Sequence, residues 1–468
     1  MRRRAEAFDD VVSAPLPSEK EEVWRYSPID DLDLDAFGPV PPAPAGAPPL
    51  VPAGEAFVEG TAADLAARSA TVVVRDGRPV AADLSRLPGD VTVAGLVGGD
   101  GPLPAAGGSG RQPPVPGAVL AGGDALVRLN DAFLPDAVVI DVPAGVELDE
   151  PVVVLHWCGG SAPAVGGEAG EAGEVGEPGG PAPASFPRAV VRVGAGARAS
   201  VVEVVAGAPG DRRSLVVPVT ELEVEDGGRL SYVALQVLGT GAWHLGRLAA
   251  RVGRDATLRT FTVGLGGAYD RMRADVAAAG TGAHCELRSA YLGTGSQVHD
   301  VRTLQDHLAA HTTSDLLCKG AVAGQSRSVY SGLIRVRHGA VRAEAFQTNH
   351  NLVLDRRAHA DSVPNLDIEE NDVRCSHAST VGPVDEDQRY YLESRGVPPG
   401  RAEELIVLGF FDDIVERSPV PSATGRLRRE VGLRLAGALG LEGGREAGPG
   451  TGAGPGNGAG GDGDAAGG

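Results

Sequence analysis

A recurring unit, in which a short apolar strand meets a Gly or Asp turn and then resumes, constrains the fold of this chain more than any other feature. The first three turns lie near Gly194, Asp226 and Gly253, which are 32 and 27 residues apart (226 − 194 and 253 − 226). Further Gly turns follow near Gly280, Gly324 and Gly339. Apolar and polar residues alternate within each unit, so one strand face is buried and the other is wet.

A single unit of this kind cannot bury its apolar face, whereas a stack of neighbouring units can. Aromatic residues make up only 4% of the chain, against 42% apolar residues, and small Val, Leu, Ala and Ile side chains suit a narrow interior. We therefore predict a mainly β protein with a parallel β-helix or a closely related β-solenoid. An antiparallel sandwich also gives short alternating strands with frequent turns, so the pattern alone leaves that fold open.

Composition divides the chain into segments. The 68 Gly and 35 Pro are unevenly spread, so part of the chain is expected to be linker or tail. A short helix is expected to begin at the Ser18-x-x-Glu21 capping pattern. We expect an irregular N-terminal domain over residues 1–123, which is Pro/Ala-rich in part, and a β-helix core over 124–382. A disordered insertion is expected within the core at 159–186. A C-terminal helical domain is expected over 383–441, followed by a disordered Gly-rich tail over 442–468.

The hydrophobic period becomes helical after Gly382. A first helix is predicted to begin at Asp385 and to end at Gly396, and a second follows Pro398 and Pro399. The second helix is predicted to carry an apolar stripe formed by Ala402, Leu405, Ile406, Gly409, Phe410 and Ile414. A third predicted helix has apolar residues at strict i, i+4 spacing: Leu427, Val431, Leu435 and Leu439. This helical unit is expected to dock on the solenoid end or on another protein.

Charge and motifs exclude several classes of function. The chain has 42 Lys+Arg against 62 Asp+Glu, a net charge of −20, which disfavours nucleic acid and acidic membranes as partners. No apolar run reaches the roughly 18 residues that span a bilayer, and Met1 leads into no apolar targeting segment, so we expect a cytoplasmic protein. The four cysteines are far apart, which indicates neither a disulfide framework nor a zinc knuckle.

Residues 364–382 have the sequence PNLDIEENDVRCSHASTVG, and residues 387–396 continue with DQRYYLESRG. This run closely resembles the C-terminal signature of SufD in the SufB/SufD family of scaffold subunits of the SUF iron–sulfur cluster assembly machinery. Supporting matches are EVWRYS at 22–27, Leu129-Asn130, and FQTNHNLVL at 346–354. The resemblance covers most of the chain apart from 38–120, the insertion and the tail.

The resemblance implies a right-handed parallel β-helix between helical terminal parts. It also implies a non-catalytic subunit of a complex with a SufB-like scaffold and a SufC-like ABC-type ATPase that binds the C-terminal helices. A nascent iron–sulfur cluster would form transiently at the heteromeric interface. The scaffold carries no nucleotide site, and the sequence has no Gly-x-x-x-x-Gly-Lys-Ser/Thr stretch. A flavin in the complex and a homodimer of the isolated chain stay open.

Cys375 and His377 are two residues apart, so on an extended strand both side chains emerge on one face and can approach one iron atom. The spacing alone is weak evidence, since a free cysteine is commonly a small buried hydrophobe. The resemblance aligns His377 with the histidine of the Cys-Ser-His motif implicated in cluster formation. Family members often have Gly-Ala where this chain has Ala378-Ser379. The sister subunit has a sulfur-accepting cysteine near residues 358–363, where this chain has no thiol.

The resemblance also marks the turn between the first two C-terminal helices as the surface that faces the ATPase. Its residues here are Tyr390, Tyr391, Arg395 and Gly396, and Phe410 of the following helix is also a candidate for ATPase binding; ordinary packing and a helix C-cap explain these residues equally.

The remaining polar candidates and thiols are interpreted as structural. Gln347, Asn349 and Asn351 alternate along one strand and are expected to form an amide ladder inside the solenoid. We expect Cys158, Cys285 and Cys318 to pack in the core, and His359 to be a polar turn residue.

The alternative function is a free-standing β-helix carbohydrate-active enzyme that cleaves an acidic polysaccharide. Such an enzyme needs paired carboxylates or a basic groove on one face of the solenoid. The sequence shows no clear cluster of either kind.

Overall fold

Parallel strands stacked in two sheets form the centre of the molecule. The computed structural model describes residues 2–13, 16–42, 50–96, 102–105, 112–120, 124–159 and 180–440. The helices are α1 (Arg2–Ser13), α2 (Pro52–Asp64), α3 (Ala125–Phe133), α4 (Glu386–Ser394), α5 (Pro399–Val415) and α6 (Thr424–Ala438). None of the helices in the described part of the chain is long and apolar enough to cross a membrane.

The strands that precede the regular stack are β1 (Phe37–Pro39), β2 (Ala70–Arg75), β3 (Arg78–Asp83), β4 (Thr92–Gly95), β5 (Val138–Val142), β6 (Val152–Cys158), β7 (Ala182–Ser185), β8 (Arg188–Val193), β9 (Arg198–Gly207) and β10 (Ser214–Val216). Those that follow are β11 (Val219–Val224), β12 (Arg229–Val237), β13 (Ala242–Val252), β14 (Thr257–Gly264), β15 (Tyr269–Ala278), β16 (His284–Gly293), β17 (Val298–His307), β18 (Thr313–Val322), β19 (Arg327–Val336), β20 (Glu344–Val353), β21 (His359–Ile368) and β22 (Arg374–Gly382).

From β11 onward successive strands alternate between the two sheets, as a solenoid requires. The first sheet has the order β21-β19-β17-β15-β13-β11-β8-β5-β4, and the second has the order β22-β20-β18-β16-β14-β12-β9-β6-β2-β3. From β5 onward the neighbours along both orders pair in parallel. The result is a parallel β-solenoid of about seven turns, which confirms the predicted fold class and excludes the antiparallel sandwich.

The pairing between neighbouring strands gives the length of a turn. Tyr269 pairs with Val298, and Val298 pairs with Arg327, so these turns are 29 residues long (298 − 269 and 327 − 298). Inward-facing residues of successive turns stack on one another and form the core. Leu230, Leu258 and Cys285 are one such buried row.

The N-terminal part of the chain closes one end of the solenoid. Strand β2 pairs in parallel with β6, and β3 and β4 add antiparallel strands at the ends of the two sheets. Val72, Val74 and Val93 belong to the same buried cluster as the solenoid interior. The segment predicted as a separate domain, 1–123, therefore contributes strands to the solenoid sheets. The helix expected after Ser18 is a short 3-10 turn, Glu22–Trp24.

The C-terminal helices pack on the outer face of the second sheet rather than on its end, which corrects one predicted docking mode. Asp385 accepts hydrogen bonds from the backbone of Asp387 and Gln388, and Gly396 has φ +87°, so both predicted boundaries of α4 are confirmed. The buried face of α5 differs from the predicted stripe, because Val407 and Phe411 are buried while Leu405 is exposed. The solenoid surface under the helix determines which face is buried.

Two predicted disordered segments lie largely outside the described residues. Of the insertion, 160–179 is not described, and Ala182–Ser185 near its predicted end forms β7. The tail 442–468 also lies outside the described residues.

Candidate functional site

The last turn of the solenoid presents its inward-facing side chains to solvent. Strands β21 and β22 end the two sheets, and no other described strand pairs with their outer edges. Leu366, Ile368 and Val381 are 39%, 41% and 47% exposed, although Ile334, which pairs with Leu366 one turn earlier, is fully buried. This open end is thus an incomplete core with two unpaired strand edges.

Cys375 and His377 both lie on the inward-facing side of β22 at this open end. Cys375 pairs with Ala345 and His377 pairs with Gln347 of the preceding turn, so the two side chains share one face, as predicted. Two residues along a strand are about 7 Å apart, a distance that lets both side chains reach one ion. Cys375 packs beside the buried cluster around Ile334, whereas His377 is exposed. Burial raises the pKa of the Cys375 thiol, so this sulfur is protonated at neutral pH until a metal or a partner displaces the proton.

Hydrogen bonds inside the last turns connect the open end to the interior. Asn351 Nδ2 donates to Asn349 Oδ1 at 2.7 Å, and Ser362 Oγ donates to the same oxygen at 2.8 Å. Ser379 Oγ donates to Ser362 Oγ at 2.7 Å, so β22 is bonded to β21 across the lumen. The two asparagines face inward as the ladder prediction required, and Ser379 has a structural role in this chain. The amide of Gln347 takes no part in these bonds.

The chain alone does not provide a complete metal site within its described residues. No group of three or more His, Cys, Asp or Glu side chains among them is arranged to hold a metal ion. A thiol and an imidazole are suitable ligands for iron, but they leave most of its coordination to other donors. The Cys375/His377 pair would therefore supply at most two donors to an iron atom.

Tyr390 and Tyr391 form an exposed aromatic surface on α4. They are 73% and 57% exposed, and no residue of α4 is buried. The Arg395 guanidinium lies 5.2 Å from the centroid of the Tyr391 ring, and Gly396 adopts the left-handed conformation that ends the helix. These four predicted partner-binding residues share one protruding turn.

Phe410 lies elsewhere, in the joint between α5 and the solenoid. Lys319 Nζ, on β18, is 4.7 Å from the centroid of the Phe410 ring and donates to its backbone carbonyl at 3.0 Å. The same ammonium pairs with Asp413 at 2.6 Å, and that hydrogen bond lowers the pKa of the Asp413 carboxyl. Phe410 thus fastens the helical unit to the solenoid in this structure.

Sequence analysis missed a set of buried polar residues in the lumen. Glu203 lies 2.7 Å from His156 Nε2 and accepts hydrogen bonds from Tyr232 and Thr220 at 2.5 and 2.9 Å. Burial raises the pKa of Glu203, but these bonds outweigh burial and hold it below its usual range. A polar residue inside an apolar strand gives no signal of its partners, and those of Glu203 lie 17 to 47 residues away in the chain (220 − 203 and 203 − 156).

A second buried cluster lies one to two turns further on. His244 Nδ1 and His299 Nδ1 are 2.7 and 3.0 Å from the two oxygens of Asp270. Burial raises the pKa of Asp270, yet the two histidine hydrogen bonds hold it well below its usual range. The two clusters line a cavity of about 50 Å³, which is room for a few water molecules.

The EVWRYS motif has a structural explanation. The Arg271 guanidinium lies 3.7 Å from the centroid of the Trp24 ring and donates to the Val23 carbonyl at 2.8 Å. Asp300 accepts from Arg271 and Arg302, both at 2.5 Å. The motif is thereby held against the outer face of the first sheet.

A groove of about 330 Å³ beside this motif is the feature that an acidic polysaccharide would require. Four arginines line it, and each is paired with a carboxylate: Arg271 and Arg302 with Asp300, Arg273 with Asp275, and Arg335 with Asp367. Since each arginine is already engaged by a carboxylate and Glu22 also lines the groove, the groove gives the enzyme alternative no support.

The other thiols occupy the core positions predicted for them, whereas His359, predicted as a turn residue, is the first residue of β21. Cys158, Cys285 and Cys318 are buried in apolar clusters. Burial raises the pKa of Cys285 and of Cys318 to about 12. His359 is exposed at the start of β21, where its Nε2 lies 3.1 Å from Asp361. The three thiols thus pack in the core, and His359 lies at the surface beside Asp361.

The fold and the open end together define a β-solenoid whose last turn is unfinished and carries a Cys/His pair. Comparison with known proteins gives the family. Residues 177–410, half of the 468-residue chain, match the family model of the SUF system FeS cluster assembly, SufBD core domain. The chain belongs to this family.

Individual relatives agree. An iron–sulfur cluster assembly SufBD family protein of Mycobacterium tuberculosis is 40% identical over 215 residues, which are 44% of this chain and 54% of that protein. The SufD protein of Bacillus subtilis is 30% identical over 45% of this chain and 48% of its own length. The chain thus spans about half the length of these two relatives. The SufD protein of Escherichia coli is 26% identical over 92% of both chains. Among the family's members, this chain is of the SufD type.

Proposed function

We propose that this chain is a non-catalytic scaffold subunit of a SUF complex. It pairs through the open end of its solenoid with a SufB-like scaffold and binds a SufC-like ABC-type ATPase through its C-terminal helices. The observation that carries the proposal is the open end, where an unfinished core, two strand edges and the Cys375/His377 pair coincide.

A second β-solenoid is the partner that best fits the open end. The unpaired edges of β21 and β22 are ten and nine residues long and can continue both sheets into another chain. Leu366, Ile368 and Val381 would then be covered as their counterparts are in earlier turns. Docking would also bury His377 and Cys375 at the junction, where donors from the partner complete the coordination of a nascent cluster. When the chain is alone, a second copy fits the same edges, so a homodimer is expected.

The C-terminal unit, over residues 383–441, is proposed to receive the ATPase. Tyr390 and Tyr391 are large, exposed aromatic side chains of the kind enriched at protein interfaces. Because Lys319 fastens α5 to the solenoid, a movement imposed on the helices is transmitted to the core over 124–382. ATP binding is assigned to the partner, and the complex is placed in the cytoplasm. Flavin binding stays a prediction of the resemblance, with no residue of this chain assigned to it.

Affinity isolation of tagged variants under anaerobic conditions tests the proposal, with co-purifying chains identified and quantified by mass spectrometry. The wild type should bring down an ABC-type ATPase and a homologous β-solenoid chain in near-stoichiometric amounts. A Leu366→Asp/Val381→Asp variant should lose the solenoid chain and keep the ATPase. A Tyr390→Ala/Tyr391→Ala variant should show the reverse pattern. Isolation of the wild type without either partner, even at low salt, would refute the proposed function.

A further inference from the structure

The amide of Gln347 is buried beneath the open end and makes no hydrogen bond. The side chain is 1% exposed, and neither Nε2 nor Oε1 has a partner among the described residues. The other inward-facing amides of β20, Asn349 and Asn351, are both bonded. Native structures leave few buried polar groups unpaired, so an unpaired amide next to a functional site indicates a use.

The register places His377 directly above this amide. Gln347 and His377 are paired residues on neighbouring strands, whose spacing of about 4.8 Å brings inward-facing side chains together. On the opposite wall, a Cβ atom at Gly332 would lie 2.5 Å from Gln347 Nε2 and 2.6 Å from Oε1, so the glycine leaves room for the amide. Pro364, above Gly332, has a ring without hydrogen-bonding atoms. His377 is the side chain above the amide that can bond to it.

We propose that Gln347 is a positioning residue for His377, an inference that rests on the proposed function. When a partner covers the open end, the His377 imidazole loses its water and turns one ring N–H toward Gln347 Oε1. That bond fixes which ring nitrogen carries the proton. The other nitrogen then directs its lone pair out of the lumen, toward the junction where the cluster forms.

Three variants separate this role from ordinary packing. Gln347→Met keeps the length of the side chain and removes the acceptor, whereas Gln347→Glu keeps an acceptor at the same reach. The matched control is Gln305→Met, which makes the same change at another buried glutamine of the lumen. Gln305 bonds to Ser314 Oγ at 2.6 Å and is not stacked under His377. If Gln347→Met does not fold, Gln347→Asn, which withdraws the amide by one methylene, carries the same expectation.

The first readout is the ring-nitrogen NMR spectrum of His377, recorded on the full-length chain labelled at histidine and bound to its partner scaffold, and assigned with a His377→Asn variant. Gln347→Met should move the His377 resonances, and Gln305→Met should leave them in place. Identical His377 spectra in the wild type and in Gln347→Met would overturn the inference. Partner binding by the wild type is checked first, so its absence refutes the proposed function, whereas an unmoved His377 spectrum in a formed complex overturns the role of Gln347 alone.

The second readout is cluster build-up in the assembled complex. Gln347→Met should slow it roughly tenfold at an unchanged subunit ratio, as removal of a residue that orients a ligand typically does. Gln347→Glu should restore most of the rate. A rate in Gln347→Met equal to that of the wild type would also overturn the inference. Failure of the wild type to assemble would refute the proposed function instead.

Discussion

Removing the exposed apolar side chains of the last turn should weaken pairing with the second scaffold without unfolding the chain. The perturbation is the triple variant Leu366→Ser/Ile368→Ser/Val381→Ser. These side chains are 39%, 41% and 47% exposed in the isolated chain, and docking would bury what remains exposed. Their buried fractions are 61%, 59% and 53% (100 minus each exposed value), so the free chain should also lose roughly 3–5 kcal/mol of folding stability, and urea unfolding of the free variant checks that it is still folded.

The magnitude follows from those fractions. Full burial of one such side chain contributes about 1.5–3 kcal/mol, so the exposed fractions of the three together account for roughly 2–4 kcal/mol of association free energy. This corresponds to a dissociation constant that rises about 30- to 700-fold. The estimate assumes that serine contributes no apolar burial in the complex.

Isothermal titration calorimetry of the purified chain with its SufB-like partner measures the effect directly. The control is Val115→Ser/Leu433→Ser, which removes side chains that are 45% and 50% exposed but lie away from β21 and β22. The control should bind like the wild type. If the triple variant binds with wild-type affinity, the open end is not the pairing surface.

Three further predictions concern the fold around the site. Burial lowers the pKa of His307 from 6.5 to about 4. The folded chain should therefore lose stability as pH falls below 6.5, by about 2 kcal/mol at pH 5. In His307→Asn the urea-unfolding midpoint should depend less on pH over that range, and an unchanged dependence would contradict the assignment. Lys319→Met should speed hydrogen exchange in α5 at unchanged solenoid stability, because it removes the bonds to Phe410 and Asp413; unaltered exchange would show that Lys319 does not hold the joint. Gly320→Ala would place a Cβ atom 2.0 Å from the Tyr291 ring and should lower the free energy of unfolding by about 3 kcal/mol, measured by chemical denaturation. The loss should be smaller in a Tyr291→Leu background, and equal losses in both backgrounds would contradict the clash.

Local signals predicted the elements that depend on local chemistry. Asp385 caps α4 and Gly396 ends it, because both act within a few residues of their own position. The alternating period predicted the solenoid, since each strand must bury one face against its neighbours. The same period could not reveal that Leu366 and Ile368 are exposed, because an inward-facing residue of the last turn has the sequence pattern of a buried one.

Features that depend on distant segments were outside the reach of sequence reasoning. The buried face of α5 depends on the solenoid surface beneath it, so Val407 and Leu405 could not be told apart by hydrophobicity. The placement of Phe410 at Lys319 joins residues that are 91 positions apart. Cys375 and His377 could be placed on one strand face from their spacing, but their positions above Ala345 and Gln347 depend on the register between turns.

The central claim is that a cluster forms where His377 and Cys375 meet the partner scaffold. The most direct measurement is the iron and acid-labile sulfide content of the anaerobically assembled complex that contains His377→Ala, compared with the wild-type complex. We expect the variant to assemble at the same subunit ratio and to hold far less of both elements, because His377 is exposed in the free chain and contributes nothing to its core. A variant complex with wild-type iron and sulfide would contradict the claim and leave the open end as a pairing surface alone.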